Sequence, residues 1–216
     1  MTRLVHSAVA TLALIGGAAI WQMSGSAFPG VFAAAAAEAD DSLVKEMTLG
    51  DPDAPVTIIE YASFTCPHCK SFHEDQMKRI KTDYVDTGKA HFVYREVYAD
   101  RPGLWAGMVA RCGGENRYFG IVDMIYEKQS VWSGASSPEE TAEELRRIGR
   151  IAGLTDDDLD ACLTDVEKAE ALVAVWEKHR VADDVRSTPS FVIDGEKYSN
   201  MSYDEFAEIL DAKLEE

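Results

Sequence analysis

Two apolar runs in the first half of the chain predict neighbouring strands of a buried sheet. Residues 56–61 and 91–98 are rich in β-branched and aromatic side chains, which is typical of buried strands. Residues 70–81, between them, contain neither Gly nor Pro and place apolar side chains at near-helical spacing. A strand, a helix and a second strand in this order predict a parallel pair joined by a crossover helix. Residues 47–49 are predicted to add a short edge strand.

The middle of the chain, from Gly103 to about Val185, has helical periodicity throughout. Ser137, followed by Pro138 and with Glu140 three positions on, predicts a capping box. Thr155 and Asp158 predict a second one. The helices are expected at residues 104–111, 118–126, 138–152 and 167–179, with a further helix opened by Thr155. The three acids at 156–158 fit better as partners of that helix's dipole than as a metal loop.

Strand signals return near the C-terminus. Residues 190–193 are apolar, Asp194-Gly195 is a favoured two-residue hairpin turn, and residues 196–198 are predicted to pair back. Ser202, with Glu205 three positions on, predicts a further capping box that opens a final amphipathic helix. The predicted layout is therefore a βαβ unit, a helical block and a ββα unit.

Residues 1–37 are predicted to lie outside the fold. A weakly positive start is followed by an uncharged apolar stretch and a run of alanines that ends at Ala37, which is typical of a secretory signal peptide. An uncleaved membrane anchor is the alternative, although the apolar stretch is short for a spanning helix. Export would place the four cysteines in an oxidising compartment.

Composition narrows the class of protein. The chain has 216 residues, is 46% hydrophobic and 27% charged, and carries a formal net charge of −17. This balance is that of a globular protein, and its acidity argues against nucleic-acid or anionic-membrane partners.

Two cysteines three positions apart carry the clearest chemical signal. Cys66-Pro67-His68-Cys69 stands between the first strand and its helix, with Thr65 as the predicted N-cap. Pro67 suits a first helical turn, and the dipole of the helix favours a thiolate at Cys66. The two sulfurs can bond to each other, which predicts a dithiol/disulfide redox centre.

Three other interpretations of the cysteine pair differ in the residues that they require. A zinc site needs two more ligands at suitable spacing, whereas Cys112 and Cys162 stand alone. Haem attachment needs a His directly after the second Cys, and Lys70 occupies that position. A purely structural disulfide remains open on these residues alone.

The motif, together with residues 187–195 (Ser-Thr-Pro-Ser-Phe-Val-Ile-Asp-Gly), resembles the DsbA-like thiol:disulfide oxidoreductases of the thioredoxin superfamily. The resemblance implies an α/β thioredoxin fold, β-β-α-β and β-β-α, interrupted by a helical domain. The fold domain would comprise residues 45–102 and 186–216, and the inserted domain residues 103–185. It also implies a periplasmic location for the exported protein.

The resemblance assigns roles to individual residues. Cys66 matches the exposed nucleophile, Cys69 the buried resolving thiol, and Pro189 the cis-proline beside them. Glu60 matches the family's buried acid and is expected to relay protons. Thr188 precedes the proline and is expected to contact substrate; the best-known oxidant of the family has valine there, whereas threonine occurs in related isomerases.

The expected activity is dithiol oxidation of exported proteins without a cofactor. His68 is expected to stabilise the Cys66 thiolate, whereas His73, His91 and His179 are interpreted as core or surface groups. Expected partners are reduced exported proteins and a redox protein that restores the disulfide. The alternatives are an isomerase or reductase of the same fold, a copper- or zinc-binding module, and a non-enzymatic peptide-binding protein.

The remaining cysteines pose a separate question. If Cys66 pairs with Cys69, then Cys112 and Cys162 can either bond to each other or stay as buried thiols. An oxidising compartment favours a structural Cys112–Cys162 disulfide.

Overall fold

The computed structural model describes residues 41–216, which contain five strands and nine α-helices. The predicted signal peptide lies outside the described residues. The strands are β1 (Met47–Leu49), β2 (Val56–Ala62), β3 (Ala90–Glu96), β4 (Ser190–Ile193) and β5 (Glu196–Ser199). The helices are α1 (Pro67–Glu74), α2 (Gln76–Ile80), α3 (Arg101–Cys112), α4 (Glu115–Glu127), α5 (Gln129–Trp132), α6 (Pro138–Ile151), α7 (Asp156–Leu163), α8 (Val166–Ala182) and α9 (Tyr203–Leu214).

The sheet has the order β1-β3-β2-β4-β5, with β2 and β3 parallel and the other neighbours antiparallel. This confirms the predicted crossover from β2 to β3 and the predicted hairpin from β4 to β5. In the hairpin turn Asp194 and Gly195 both have positive φ, 45° and 83°, the backbone that a two-residue turn of this kind requires.

The central strand β2 pairs on both sides, with β3 and with β4. Its apolar side chains Val56, Ile58, Tyr61 and Ala62 are fully buried. The prediction of a buried strand from the β-branched and aromatic run is therefore confirmed.

The crossover helix is not continuous. α1 begins at Pro67, where the sequence predicts the first helical turn. The prediction that one helix continues to residue 81 is wrong, because the helix breaks at Asp75, where φ is −120° and ψ is −73°. α2 then runs into a wide, π-type turn at Lys81–Val85. The pattern of apolar residues spans this break, because Phe72, Met77 and Ile80 all belong to the core; periodicity alone does not locate such a kink.

Helix caps explain most of the boundaries in the helical segment. Thr155 and Asp158 form the predicted reciprocal capping box, and so do Ser202 and Glu205. At α6 the prediction is only half right. The Ser137 side chain accepts from the backbone N–H of Glu140, but the Glu140 carboxylate accepts from Ser136 instead of the N-cap residue.

The helical segment packs onto the sheet through two clusters of buried side chains, of which the smaller contains Tyr61 of β2 and Trp176 of α8. In the larger cluster, Tyr118, Tyr126 and Trp132 of the helical segment pack with Phe92 and Tyr94 of β3. Gly107 of α3 permits a close approach, since a Cβ atom there would lie 2.7 Å from the Tyr98 ring. Cys112 and Cys162 are joined by a disulfide that ties the end of α3 to α7.

Among residues 41–216, none of the helices is both long enough and apolar enough to cross a membrane.

Candidate active site

Cys66 and Cys69 lie where β2 is followed by α1, at the carboxyl end of the central parallel strands. Cys66 is the N-cap residue of α1 and Pro67 is its first helical residue. Thr65 is therefore not the N-cap, and the prediction that it would be is wrong. Its hydroxyl instead donates a 2.6 Å hydrogen bond to Asp100, the residue whose side chain caps α3. The loop before Cys66 is thus fastened to the start of the helical segment.

The two sulfurs differ in exposure, although both cysteines are free thiols in the structure. Cys66 is half-buried, whereas Cys69 is fully buried in the core cluster. Of the two, Cys66 is the one that a sulfur atom of another protein can approach. The difference is the one that the resemblance implied for an attacking and a resolving cysteine.

The electrostatic environment separates the two thiols further. The pKa of Cys66 is lowered to about 5, chiefly because the Cys69 thiol donates a hydrogen bond to it, with further hydrogen bonds from the Thr188 side chain and the backbone N–H groups of Cys69 and His68; burial opposes this shift. Burial raises the pKa of the Cys69 thiol far above its ordinary range, and the hydrogen bond to Cys66 and the charge of Glu60 add to this shift. Near neutral pH the pair therefore holds one thiolate, at Cys66, and one thiol, at Cys69.

The segment before β4 forms the other side of the site. The Thr188–Pro189 peptide bond is cis, as the resemblance implied. The Cys66 sulfur lies 3.4 Å from the carbonyl oxygen of Thr188. Thr188 is half-buried and Pro189 is buried, so the segment that contains both expected substrate-binding residues adjoins the reactive sulfur.

His68 is expected from the sequence to stabilise the Cys66 thiolate through its side chain, but the structure shows a contribution from its backbone. Its side chain is exposed, and its identified contribution to the low pKa of Cys66 is a backbone hydrogen bond. Any residue except proline can supply that N–H group.

Glu60 lies on β2, beneath the cysteines, and is completely buried. Its Oε2 atom is 2.9 Å from Nε2 of His73 on α1, which is also buried. On the sequence, His73 is one of the histidines interpreted as ordinary core or surface groups, so this pair was not predicted. The thirteen-residue separation between the two residues carries no motif, and only the crossover from β2 to α1 brings them together.

A second residue that the sequence did not reveal is Gln129, in the short helix α5. Its side-chain amide donates to the carbonyl oxygens of Phe64 and Cys66, at 2.7 and 2.9 Å. It is buried and satisfies two backbone acceptors of the loop that carries the reactive thiol. An isolated Gln in a four-residue helix gives no pattern that could have identified it.

Among residues 41–216, no group of three or more His, Cys, Asp or Glu side chains is arranged to hold a metal ion.

Comparison with known proteins gives a consistent result. Residues 42–212 match a family model described as Thioredoxin. A Rickettsia bellii protein named "Putative protein-disulfide oxidoreductase" is 33% identical over 172 residues, which are 79% of this chain and 65% of that protein. The Bacillus subtilis "Disulfide bond formation protein D" is 23% identical over 80% of this chain and 79% of that protein. The chain thus spans just under two thirds of the length of the Rickettsia relative.

Solved structures agree with the sequence matches. The crystal structure of Wolbachia pipientis alpha-DsbA1 superposes with a TM-score of 0.74 at 26% identity, covering 80% of this chain and 92% of that one. The oxidised Bacillus subtilis BdbD has a TM-score of 0.70 at 22% identity, covering 79% and 94% of the two chains. At 22% identity, the similarity to BdbD shows a common fold only.

Proposed function

The chain belongs to the thioredoxin family, among its DsbA-like members, and from this premise we propose that it is an exported thiol oxidase that introduces disulfides into other exported proteins. The observation that carries the proposal is the contrast between Cys66, half-buried with a pKa lowered to about 5, and the fully buried thiol of Cys69. A reduced form stabilised by its thiolate makes the corresponding disulfide a stronger oxidant, and DsbA is the established example of this relation.

In the proposed reaction, a thiolate of the substrate attacks Cys66 Sγ of the oxidised protein. A bond forms between the substrate sulfur and Cys66, the Cys66–Cys69 bond breaks, and the Cys69 sulfur takes up a proton. A second substrate thiolate then attacks the substrate sulfur of the mixed disulfide. The substrate leaves with its disulfide, and Cys66 is left as a stabilised thiolate.

Other residues have supporting roles in this proposal. Thr188 and Pro189 present backbone to the substrate next to Cys66. Pro67 starts the helix and His68 supplies a backbone N–H to the thiolate. Glu60 relays the proton of Cys69. The expected partners are reduced exported proteins and a redox protein that restores the Cys66–Cys69 disulfide.

A redox equilibrium with glutathione, followed by an activity assay, tests this function. The oxidised protein is expected to be reduced at low ratios of reduced to oxidised glutathione and to oxidise reduced ribonuclease A, whereas Cys66→Ser and Cys69→Ser variants should not. A strongly reducing potential, or activity only with scrambled ribonuclease, would instead support a reductase or an isomerase. Thr188, the residue type found before the proline in related isomerases, is the observation that keeps the isomerase as a second candidate.

Export is a separate proposal that concerns residues 1–37. N-terminal sequencing of protein recovered from the periplasm should find a new N-terminus near Ala37. Membrane-bound protein with Met1 intact would support the anchor instead.

A further inference from the structure

In the buried pair of Glu60 and His73, only one of the two carboxylate oxygens of Glu60 has a hydrogen-bond partner within the part of the chain that the structure describes. Neither residue is more than 4% exposed, and Oε2 of Glu60 is 2.9 Å from Nε2 of His73. The other carboxylate oxygen, Oε1, has no hydrogen-bond partner among residues 41–216. A buried carboxylate oxygen without a protein partner is costly.

The groups that face His73 come from β2, β3 and α4. On one side, the charge of Glu60 acts on the Cys69 thiol. The His73 ring stacks on Tyr126 of α4, with 4.5 Å between centroids, and meets the edge of Tyr94 of β3 at 5.4 Å. From α4, Asp123 also interacts electrostatically with His73.

On its other side His73 lines a cavity of about 280 Å³ between α1–α2 and α4. The other lining residues are Glu74, Lys78, Asp123, Tyr126 and Glu127. All of these except Tyr126 are exposed, so the cavity is open to solvent. Its volume is enough for several water molecules, and its polar lining gives those waters hydrogen-bond partners.

We propose that His73 is the group through which the proton of Cys69 exchanges with solvent, by way of Glu60 on the inner side and this cavity on the outer side. The inference rests on the proposed function and adds to it a second, rear access to the buried thiol. Histidine suits the role because its ring has two nitrogens, of which one can accept a proton while the other donates one. His73 acts through Glu60 and does not touch the reacting sulfurs.

The step that needs this path is the closure of a mixed disulfide at Cys66. The Cys69 thiol gives its proton to the Glu60–His73 pair, and its thiolate attacks Cys66 Sγ. The Cys66–Cys69 bond forms, and the bond to the partner sulfur breaks with the electron pair leaving on the partner's thiolate. The pair then releases the proton from the imidazole into the cavity. During this step the partner occupies the side of Cys66 that faces solvent, so a path at the rear stays open.

Closure can be measured alone with oxidised glutathione. The reduced protein forms a mixed disulfide between Cys66 and glutathione, and Cys69 then closes the ring and releases reduced glutathione, which acid quenching and mass spectrometry follow. In His73→Gln, which keeps a hydrogen-bonding side chain, closure is expected to slow by at least about tenfold between pH 6 and 8, since a positioned proton-transfer group typically contributes about 10²–10⁴-fold. The first step, attack by Cys66, should keep its rate.

His91→Gln is the matched control. His91 pairs with Thr57 at the opposite end of the same parallel strands, so the closure rate of this variant should equal that of the unaltered protein. Equal closure rates in His73→Gln and the unaltered protein would overturn the proton path but leave the oxidase proposal standing. Failure of the unaltered protein to close at all would overturn the proposed function itself.

A rescue experiment separates proton transfer from structural support. In His73→Ala, imidazole added to the buffer is expected to enter the cavity and restore closure in proportion to its concentration, with a larger effect as its neutral fraction rises with pH. The same imidazole should not change closure in His91→Gln. If His73→Ala is folded and slow but imidazole has no effect, His73 supports Glu60 structurally and the path is wrong.

Discussion

At the scale of single residues, the site depends on the different environments of two chemically identical thiols, those of Cys66 and Cys69. Cys66 stands at the N-terminus of α1, where N–H groups without intrahelical partners point towards it. Cys69, one turn further, is carried into the core, where an ionised sulfur would lose its hydration. One helical turn therefore separates a stabilised thiolate from a stabilised thiol.

The low pKa of Cys66 predicts a specific pH dependence of stability. In the unfolded protein the pKa of a cysteine thiol is about 8.5. Because the pKa of Cys66 is lowered to about 5 in the folded protein, its thiolate stabilises the folded state fully above a pH of about 8.5, and this stabilisation is lost as the pH falls through about 5. Cys69, whose pKa is raised, stays protonated in this range. The free energy of unfolding of the reduced protein should therefore fall, relative to that of the oxidised protein, between pH 8 and 5. Urea unfolding of both forms measures this difference. Cys66→Ser has neither the thiolate nor the Cys66–Cys69 disulfide, so its free energy of unfolding should follow the pH dependence of the oxidised protein. A difference between the reduced and oxidised forms that is independent of pH in the unaltered protein would contradict the assigned thiolate.

Thr188 should tune the same thiolate. Thr188→Val removes the hydroxyl whose hydrogen bond lowers the pKa of Cys66, so the pKa is expected to rise above about 5 and the disulfide to become a weaker oxidant. Thiolate absorbance at 240 nm, recorded as a function of pH, measures the change. Identical titrations for the two proteins would remove Thr188 from thiolate stabilisation. The same substitution is also expected to change which proteins are trapped as mixed disulfides on Cys66.

His68 can be tested in the same titration. His68→Leu keeps the backbone N–H but removes the imidazole. A raised pKa of Cys66 would support the sequence-based expectation that the ring stabilises the thiolate. An unchanged pKa would restrict the contribution of His68 to its backbone.

At the scale of elements, the helical segment holds the active-site loop in place. Gln129 of α5 binds two carbonyl groups of the loop, Tyr126 of α4 donates to the carbonyl oxygen of Ser63 at 3.3 Å, and Asp100 binds Thr65. Lys70 of α1 in turn donates to the carbonyl oxygen of Tyr126 at 3.0 Å. The segment inserted between the two halves of the sheet is thus part of the scaffold of the site.

Gln129 gives a direct test of this support. Gln129→Ala leaves the carbonyl oxygens of Phe64 and Cys66 without their buried donor, which is expected to lower the free energy of unfolding by about 2 kcal/mol. Ser130→Ala, at the adjacent exposed position, should leave it unchanged within about 0.5 kcal/mol. Urea denaturation of the reduced proteins compares the two variants, and equal stabilities would show that α5 does not hold the loop.

At the scale of the whole molecule, two clusters of buried side chains extend from the sheet into the helical segment, and several long-range interactions join the sheet and the segment. Arg111 of α3 makes a two-pronged ion pair with Glu96 at the end of β3, with both N–O distances at 2.7 Å and both side chains largely buried. The Tyr118 hydroxyl donates to the same carboxylate at 2.6 Å. The neighbouring Cys112–Cys162 disulfide joins residues 50 positions apart.

This disulfide should be structural. In the chain-entropy model, closing a loop of this length stabilises the folded state by on the order of 4 kcal/mol. The Cys112→Ser, Cys162→Ser double variant should therefore have a free energy of unfolding that is lower by up to this amount, which urea denaturation measures. Alkylation of denatured, unreduced Cys66→Ser, Cys69→Ser protein checks the bond itself. No labelled thiol before reduction and two after it are expected, whereas two labelled thiols before reduction would contradict the pairing.

The sequence by itself determined the elements and the reactive motif. Local signals were sufficient for the strands β2 and β3, the Asp194-Gly195 turn, the capping boxes at Thr155 and Ser202, and the position of the cysteine pair at a helix start. Each of these depends on residues within a few positions of one another, since side-chain periodicity, turn conformation and capping are local properties of the backbone.

Only the tertiary structure decided which distant residues meet at the site. Glu60 and His73, Gln129 and Phe64, and Thr188 and Cys66 come together because the crossover, the helical segment and the cis-proline segment converge at the carboxyl end of β2. The sequence between the two members of such a pair has no pattern that indicates their contact. The different exposure of Cys66 and Cys69, and with it their chemistry, depends on what covers each sulfur, and that covering is supplied by the folded molecule as a whole.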